Sequence, residues 1–207
     1  MNREGLSTKN YVGSLTSGAL LRAETRILAP YLIKKLSVEE WRDLFQMENP
    51  LQKGSIATSI RYMNTIKRRL KHTGSKEEDF LQDLVKADQI AFSQLMLLLI
   101  VLDSPIVIDF MRNVIGDYRK RFEKSLPIGI WEEFIEERRR QVPSLNGFSD
   151  TTLTKAGTTV MRVLAEVGYL SNTRERKLLA VYPTQELYHW LRELNRQELK
   201  EVFECTL

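Results

Sequence analysis

Basic side chains are concentrated in one stretch of this sequence and are its clearest candidates for chemistry. Between residues 49 and 76 the chain contains seven lysines and arginines but no aspartate or glutamate, although the formal net charge of all 207 residues is only +4. Charge segregated in this way favours an anionic partner. Guanidinium groups bind phosphate through paired hydrogen bonds, so the stretch predicts contact with a nucleic acid. The alternative is an ordinary solvated basic helix face.

The same stretch is predicted to form an amphipathic helix over residues 55–72. At 100° per residue, one side is apolar and is expected to pack on the core; it carries Ile56, Ile60, Met63, Ile66 and Leu70. A predicted helix over residues 38–47 would support it as in a helix-turn-helix, although the connection over residues 48–54 is longer than a tight turn. The opposite side, with the residues just before the helix, is the first predicted DNA-binding site: Lys53, Ser55, Thr58, Arg61, Thr65, Arg68 and Arg69.

A second predicted site lies in the C-terminal part of the chain. A helix capped by Ser149 is predicted to run to Val167, and Gly157 on its inward side is expected to allow another helix to approach closely. The polar turn over residues 172–177 has the charge expected of a wing. The side chains predicted to face DNA here are Lys155, Thr158, Thr159, Arg162, Arg174 and Arg176. Glu166 and Glu175 dilute this charge, so a packed three-helix lobe with solvated charges remains the alternative.

The elements that position these residues are predicted to be helices throughout. Two pairs have the spacing of a capping box, namely Ser37 with Glu40 and Ser75 with Glu78. Asp88 precedes a long apolar run that is expected to form the buried central helix. The predicted fold is therefore all-α.

The predicted architecture is a compact multi-helix globule of two packed lobes. A break over residues 125–129 separates an N-terminal helical lobe, residues 1–125, from a C-terminal helical lobe, residues 126–207. Each lobe is expected to contain one helix-turn-helix element. In the second lobe, residues 169–170 and 178–182 are expected to form a short β-hairpin wing.

The sequence offers no constellation that is typical of catalysis. It has no phosphate-binding Gly-x-x-x-x-Gly-Lys loop, and its two histidines, His72 and His189, are too few for an ordinary zinc site. Cys205 lies in a terminal region that usually frays. Glu198 lacks the partner carboxylates of a magnesium-dependent nuclease. We therefore predict a protein that is not an enzyme and that has no cofactor and no metal ion.

Composition predicts a cytoplasmic protein without a membrane contact. The first eighteen residues are polar and lack the apolar core of a secretory signal. The longest strictly apolar run, residues 95–102, is far shorter than the ~20 residues of a membrane span. The single cysteine cannot form an internal disulfide, which agrees with a reducing compartment.

Several short stretches, spread over most of the chain, match a known family in their order and spacing. They are Tyr11-Val12-Gly13-Ser14-Leu15-Thr16-Ser17-Gly18-Ala19-Leu20-Leu21 with Glu24, Leu51-Gln52-Lys53 with Ser55, Thr58, Arg61 and Arg68-Arg69-Leu70, Ser149-Asp150-Thr151-Thr152 with Lys155, and Leu164-Ala165-Glu166-Val167-Gly168-Tyr169-Leu170. On these stretches the sequence resembles the BrxA family of BREX (bacteriophage exclusion) defence systems. The resemblance implies a small, all-helical, cytoplasmic protein that binds double-stranded DNA through two helix-turn-helix elements. It implies a system that methylates host DNA and blocks phage replication, and it supplies no catalytic residues.

The expected function is therefore that of a non-enzymatic, double-stranded DNA-binding accessory protein of a BREX-type defence system. It is expected to act as a monomer, with other BREX subunits as further partners. Two alternatives stay open. One is a protein-interaction adaptor that assembles other defence subunits, and the other is an RNA-binding helical protein, since basic helices also bind A-form grooves.

Overall fold

The computed structural model describes residues 11–207, and the statements below refer to that part of the chain. Its helices, in chain order, are α1 (Arg22–Ile33), α2 (Val38–Asp43), α3 (Ile56–Leu70), α4 (Glu77–Lys86), α5 (Gln89–Asp103), α6 (Pro105–Phe110), α7 (Gly116–Lys120), α8 (Ile130–Gln141), α9 (Asp150–Val167), α10 (Gln185–Glu193) and α11 (Lys200–Phe203). A π-helical turn extends α2 through Leu44–Glu48, and another, Met111–Ile115, joins α6 to α7. Within residues 11–207 there is no strand, so the all-α prediction is confirmed.

Side-chain caps start five of the eleven α-helices in the described part of the chain. Ser37 and Glu40 form a capping box at the start of α2. Asp88 accepts the N–H groups of Ile90 and Ala91 at 2.8 Å and starts α5. The predicted capping box of Ser75 with Glu78 is wrong. A 3-10 segment, Lys71–Lys76, follows α3 directly, so α4 begins one residue later than predicted and has no side-chain cap.

Helix α5 is the centre of the fold. Every residue from Ala91 to Asp103 is buried, because α1, α3, α4, α9 and α10 all pack around it. Each fully buried leucine on it contributes about 1.5–3 kcal/mol relative to an exposed one. The surrounding apolar side chains form one continuous core that reaches from Tyr11 to Phe203.

No single helix of the described residues is long and apolar enough to cross a membrane. Only the pair formed by Gln89–Asp103 and Pro105–Lys120, bent by 110°, has the required length and composition together.

Three short segments are joined by isolated β-bridges near the C-terminal end of α9. Leu170 and Leu178 form one antiparallel β-bridge, and Ser125 and Lys177 form another. The N–H of Leu126 donates to the Arg176 carbonyl at 3.0 Å. The predicted hairpin is thus present as isolated bridges rather than strands, because each segment pairs over too few residues. The division into lobes 1–125 and 126–207 stays a prediction.

Candidate nucleic-acid interface

The N-terminal end of α3 is built as the sequence predicts. The Ser55 hydroxyl accepts the N–H of Thr58 at 3.2 Å, and the two hydroxyl oxygens lie 3.0 Å apart. This cap stabilises the first turn of the helix. Both residues lie at the N-terminus of α3, where backbone N–H groups favour an anion. Ser55 is exposed and Thr58 is half-buried.

Arg69 does not lie on the outward face of α3, and that prediction is wrong. Its side chain is 0% exposed. Its Nη1 donates to the Ala19 carbonyl at 2.7 Å, its Nη2 to the Gly18 carbonyl at 2.7 Å, and its Nε to the Ser14 hydroxyl at 3.1 Å. Burial lowers the pKa of Arg69 to about 10 while Asp103 opposes that shift, so the group stays charged at neutral pH. Arg69 ties the N-terminal segment to α3 and is not available to a phosphate.

Asp103, the last residue of α5, contacts both the N-terminal segment, at Ser14, and α3, at Arg68. Its Oδ2 accepts the N–H and the hydroxyl of Ser14, both at 2.7 Å. Its Oδ1 accepts Nε of Arg68 at 2.9 Å and lies 3.4 Å from Nε2 of His72. Desolvation raises the pKa of Asp103, but the hydrogen bonds from His72 and Ser14 and the charge of Arg68 outweigh it and hold that pKa well below its usual range.

Arg68 is consequently both held in place by Asp103 and accessible to solvent. Its Nε is fixed on Asp103, yet its side chain remains 49% exposed. A guanidinium group has donors on both terminal nitrogens as well as on Nε. Those terminal donors face the side of α3 that solvent reaches, so Arg68 is a positioned cation rather than a loose one.

Thr65 is a second correction, because it is buried rather than outward. Its hydroxyl donates to the Arg61 carbonyl at 2.9 Å. Conversely, Ile56 and Ile60, predicted to be inward, are 41% and 39% exposed. The cause is that α3 packs against α5 on one side and against the 3-10 turn Leu15–Ser17 on another. A helical wheel of α3 alone cannot show the contact with the turn Leu15–Ser17, because that turn lies elsewhere in the sequence.

The remaining exposed part of α3 lines a shallow groove. Its volume is about 390 Å³, and its lining residues are Ser14, Ser17, Ala57, Ile60, Arg61, Asn64, Thr65 and Arg68. Arg61, Asn64 and Arg68 recur at spacings of three and four residues and therefore share one stripe of the helix. Asn64 is absent from the predicted site, although this spacing is visible in the sequence and identifies it.

Lys53 is paired within the protein. Its Nζ lies 2.7 Å from a carboxylate oxygen of Glu24, and the hydrogen bond to Glu24 raises the pKa of Lys53. The pair fastens the loop before α3 to α1. Lys53 therefore positions α3 and carries little free charge toward a ligand.

Helix α9 presents its predicted polar side to solvent. Lys155, Thr158 and Arg162 are exposed and Thr159 is half-buried. The hydroxyls of Thr158 and Thr159 donate to the carbonyls of Thr154 and Lys155 at 3.1 and 3.0 Å. Because their protons are used in this way, the two hydroxyls offer acceptor oxygens and methyl groups outward. Such a surface suits the amino groups and the thymine methyl of base edges.

Close packing of α8 holds α9 in place, as predicted from Gly157. A Cβ at Gly157 would lie 2.3 Å from Cδ1 of Trp131, which is shorter than any real contact. The Trp131 indole Nε1 donates to the Leu153 carbonyl at 2.9 Å. The absence of a side chain at Gly157 therefore lets the indole of α8 lie directly on the α9 backbone.

The turn after α9 carries one accessible cation and one that is used internally. Asn172 Oδ1 accepts the N–H groups of Arg174 and Glu175 at 2.9 and 2.7 Å, which closes the turn. The Arg176 guanidinium donates to the Thr173 carbonyl at 3.0 Å and the Pro127 carbonyl at 3.2 Å. Arg174 is exposed, so it is the residue of this turn that is best placed to meet a phosphate.

The two predicted sites are neighbours. Tyr62 of α3 and Arg162 of α9 line the same cleft, which also contains the start of α1. The 3-10 turn Leu15–Ser17 contacts both helices. One ligand of sufficient length can therefore meet both helices.

Two sites that could support catalysis are a metal centre and the Cys205 thiol. Within residues 11–207 no three side chains of His, Cys, Asp or Glu are grouped to hold a metal ion. Burial raises the pKa of the Cys205 thiol to about 12. A thiol of that pKa is a poor nucleophile at neutral pH.

Comparisons with known proteins agree with one another. A family model described as BrxA matches residues 9–195. A protein named BREX protein BrxA from Escherichia coli O9:H4 (strain HS) is 32% identical over 196 residues, which cover 95% of this chain and 91% of the relative. A protein of the same name from Paramagnetospirillum magneticum (strain ATCC 700264 / AMB-1) is 28% identical over 202 residues, covering 98% of this chain and 100% of the relative. The chain is also similar to the crystal structure of an uncharacterized protein from Magnetospirillum magneticum, with a TM-score of 0.78, 25% sequence identity, and coverage of 95% and 99% of the two chains.

Proposed function

The chain belongs to the BrxA family, and we propose that it is a non-enzymatic protein that binds double-stranded DNA in a BREX phage-defence system. Its relatives carry the name BREX protein BrxA, and that name supports the defence role. The contact with DNA is argued from the surface geometry of α3 and α9.

The order of elements around α9 is the observation that carries the proposal. A bridge-forming segment at Ser125 precedes α8 and α9, and the bridge-paired segments at Leu170 and Leu178 follow them. This is the order of a winged helix-turn-helix, in which the second helix enters the major groove and reads base edges. In that arrangement α9 would present Lys155, Thr158, Thr159 and Arg162 to the groove, and Arg174 would meet the backbone beside it.

The groove on α3 supplies a second basic surface. Arg61 forms no ion pair within residues 11–207, and Arg68 is held in place by Asp103. Positioned guanidinium groups beside an amide and hydroxyls suit phosphate oxygens, which take most protein–DNA hydrogen bonds. Because α3 and α9 border the same cleft, we propose that one duplex contacts both.

A protein-interaction adaptor is the second candidate, and exposed apolar side chains favour it. Val38 and Met47 of the α2 segment are 79% and 86% exposed, and Phe122 and Ile128 are 91% and 87% exposed. Where such side chains form a contiguous patch, the patch is typical of a surface that binds another protein. Contact with other BREX subunits through these side chains is compatible with DNA binding elsewhere on the molecule.

Paired charge-removing variants test the DNA-binding proposal. The variant Lys155→Ala/Arg162→Ala removes two exposed cations from α9, and Arg61→Ala removes one from α3. Each lost charge-assisted contact is expected to weaken duplex binding about tenfold, measured by fluorescence anisotropy with a labelled duplex oligonucleotide. Competition with duplex RNA of the same sequence tests the RNA-binding alternative.

The controls remove the same charge elsewhere. Lys34→Ala/Lys86→Ala matches the α9 variant, and Lys34→Ala alone matches Arg61→Ala; both lysines are exposed and unpaired within the described chain. We expect the controls to bind like the unmodified protein. Equal losses in controls and site variants would mean that only net charge matters, and no duplex binding at low salt would leave the adaptor as the function.

A further inference from the structure

The cleft between α1, α3 and α9 collects arginines from distant parts of the chain. Its volume is about 680 Å³, which lies in the range of sites for small ligands, roughly 300–1,000 Å³. Arg22 and Arg26 enter it from the first turns of α1, and Arg162 enters it from α9. The cleft is therefore a cationic site formed only by the folded chain.

Two of the three guanidinium groups have no direct partner. Arg26 lies 4.0 Å from the ring centre of Phe92 and donates to the Ala87 carbonyl at 3.3 Å. Arg22 and Arg162 form no ion pair and no side-chain hydrogen bond with any residue in the described range. Each of these groups carries five N–H donors in a fork that matches phosphate, so the cleft has unused donors from both α1 and α9.

The two carboxylates in the cleft do not neutralise these arginines. Glu24 is already paired with Lys53. Glu166 lies beyond ion-pair distance of Arg22 and Arg162, although it is close enough to be influenced by them. Desolvation raises the pKa of Glu166, and the charges of Arg162 and Arg22 act in the opposite direction.

We propose that this cleft binds a phosphate group between Arg22 and Arg162, and that Glu166 weakens the binding as an anion built into the site. The phosphate has two possible sources with the same chemistry. It belongs either to a DNA backbone that passes from α9 to α3, in which case the site rests on the proposed function, or to a free nucleotide. Arg22 is then a binding residue contributed by α1, outside both predicted sites.

The test uses two variants with opposite expected effects. Arg22→Ala removes a donor and is expected to weaken binding about tenfold. Glu166→Gln removes the opposing charge while keeping the side-chain shape, and it is expected to strengthen binding. A purely structural role of the two residues would not give effects of opposite sign. Lys34→Ala, at the far end of the same helix, is the matched control and should change nothing.

Two probes identify the source of the phosphate. A labelled duplex oligonucleotide is titrated by anisotropy, and ATP is titrated by calorimetry, each with all four proteins. Opposite shifts in the duplex titration assign the site to backbone phosphate, and opposite shifts in the ATP titration assign it to a nucleotide.

The proposal is overturned if Arg22→Ala and Glu166→Gln leave both affinities unchanged, or if the unmodified protein binds neither probe. Its failure is distinguishable from that of the proposed function. Duplex binding that depends on Lys155, which lies outside the cleft, but not on Arg22 removes the cleft and keeps the function. ATP binding that depends on Arg22, without any duplex binding, keeps the cleft and removes the function.

Discussion

Adjacent arginines on α3 have opposite roles, and their surroundings decide which. The guanidinium of Arg68 is half exposed beside Asp103, whereas that of Arg69 is buried under the N-terminal segment and donates to Ser14, Gly18 and Ala19. Burying a charge is costly unless hydrogen bonds compensate for the lost water. Arg69 meets this condition because two backbone carbonyls and one hydroxyl converge on it. A basic residue in this stretch can therefore be a structural tie.

Replacing Arg69 should therefore affect folding. Arg69→Ala leaves the carbonyls of Gly18 and Ala19 buried without donors, and each orphaned group costs roughly 1–3 kcal/mol. We expect the free energy of unfolding to fall by about 3 kcal/mol or more, measured by urea denaturation followed by circular dichroism. Arg61→Ala is the control, because an exposed substitution usually changes stability by no more than about 0.5 kcal/mol. Equal midpoints for the two variants would contradict the structural role of Arg69.

At the scale of elements, the contact between α8 and α9 depends on one missing methyl group. The Trp131 indole that covers Gly157 is itself packed between Phe110 and Phe134, with ring centres 5.3 and 5.5 Å away. These two ring contacts restrict movement of the indole away from α9. The spacing of α8 and α9 is consequently fixed at Gly157.

Gly157→Ala should push α8 and α9 apart. Overpacking of a dense core costs about 1–3 kcal/mol, and we expect a loss of stability in that range together with weaker duplex binding. Gly54→Ala is the matched control, because a Cβ there meets nothing within 4 Å. Thermal unfolding of the two variants measures the difference. A Gly157→Ala protein as stable as Gly54→Ala would show that the indole can move.

Element boundaries could be predicted from sequence because their signals are local. Ser55, Asp88 and Ser149 each accept a backbone N–H within three residues and start a helix where predicted. Ser75 failed because the 3-10 segment after α3 continues past it. Local side-chain chemistry is therefore sufficient for these helix starts.

The exposed face of α3 could be predicted only in part, because it depends on a distant segment. Thr65 and Arg69 are covered by residues near Ser14 and Gly18, which lie far away in the sequence. A periodicity analysis treats a helix as having one buried side, and α3 has two. The outward face of α9 has no such covering, and there Lys155, Thr158 and Arg162 are exposed as predicted.

At the scale of the whole molecule, one core supports two basic surfaces. Helices α3 and α9 both contact α5 and the turn Leu15–Ser17, and the exposed cations of the two helices form no ion pair within the described residues, apart from Arg68. Such an arrangement suits a long polyanion that spans both helices. We propose that this polyanion is duplex DNA, held mainly through its phosphates.

The salt dependence of duplex binding tests that claim most directly. If the two surfaces together neutralise about five to seven phosphates, the logarithm of the binding constant should fall against the logarithm of salt concentration with a slope of about −4.5 to −6. The measurement is an anisotropy titration of the unmodified protein at several salt concentrations. A slope in this range is the expected result, and a binding constant that does not change with salt, or no binding at the lowest salt, would contradict the account.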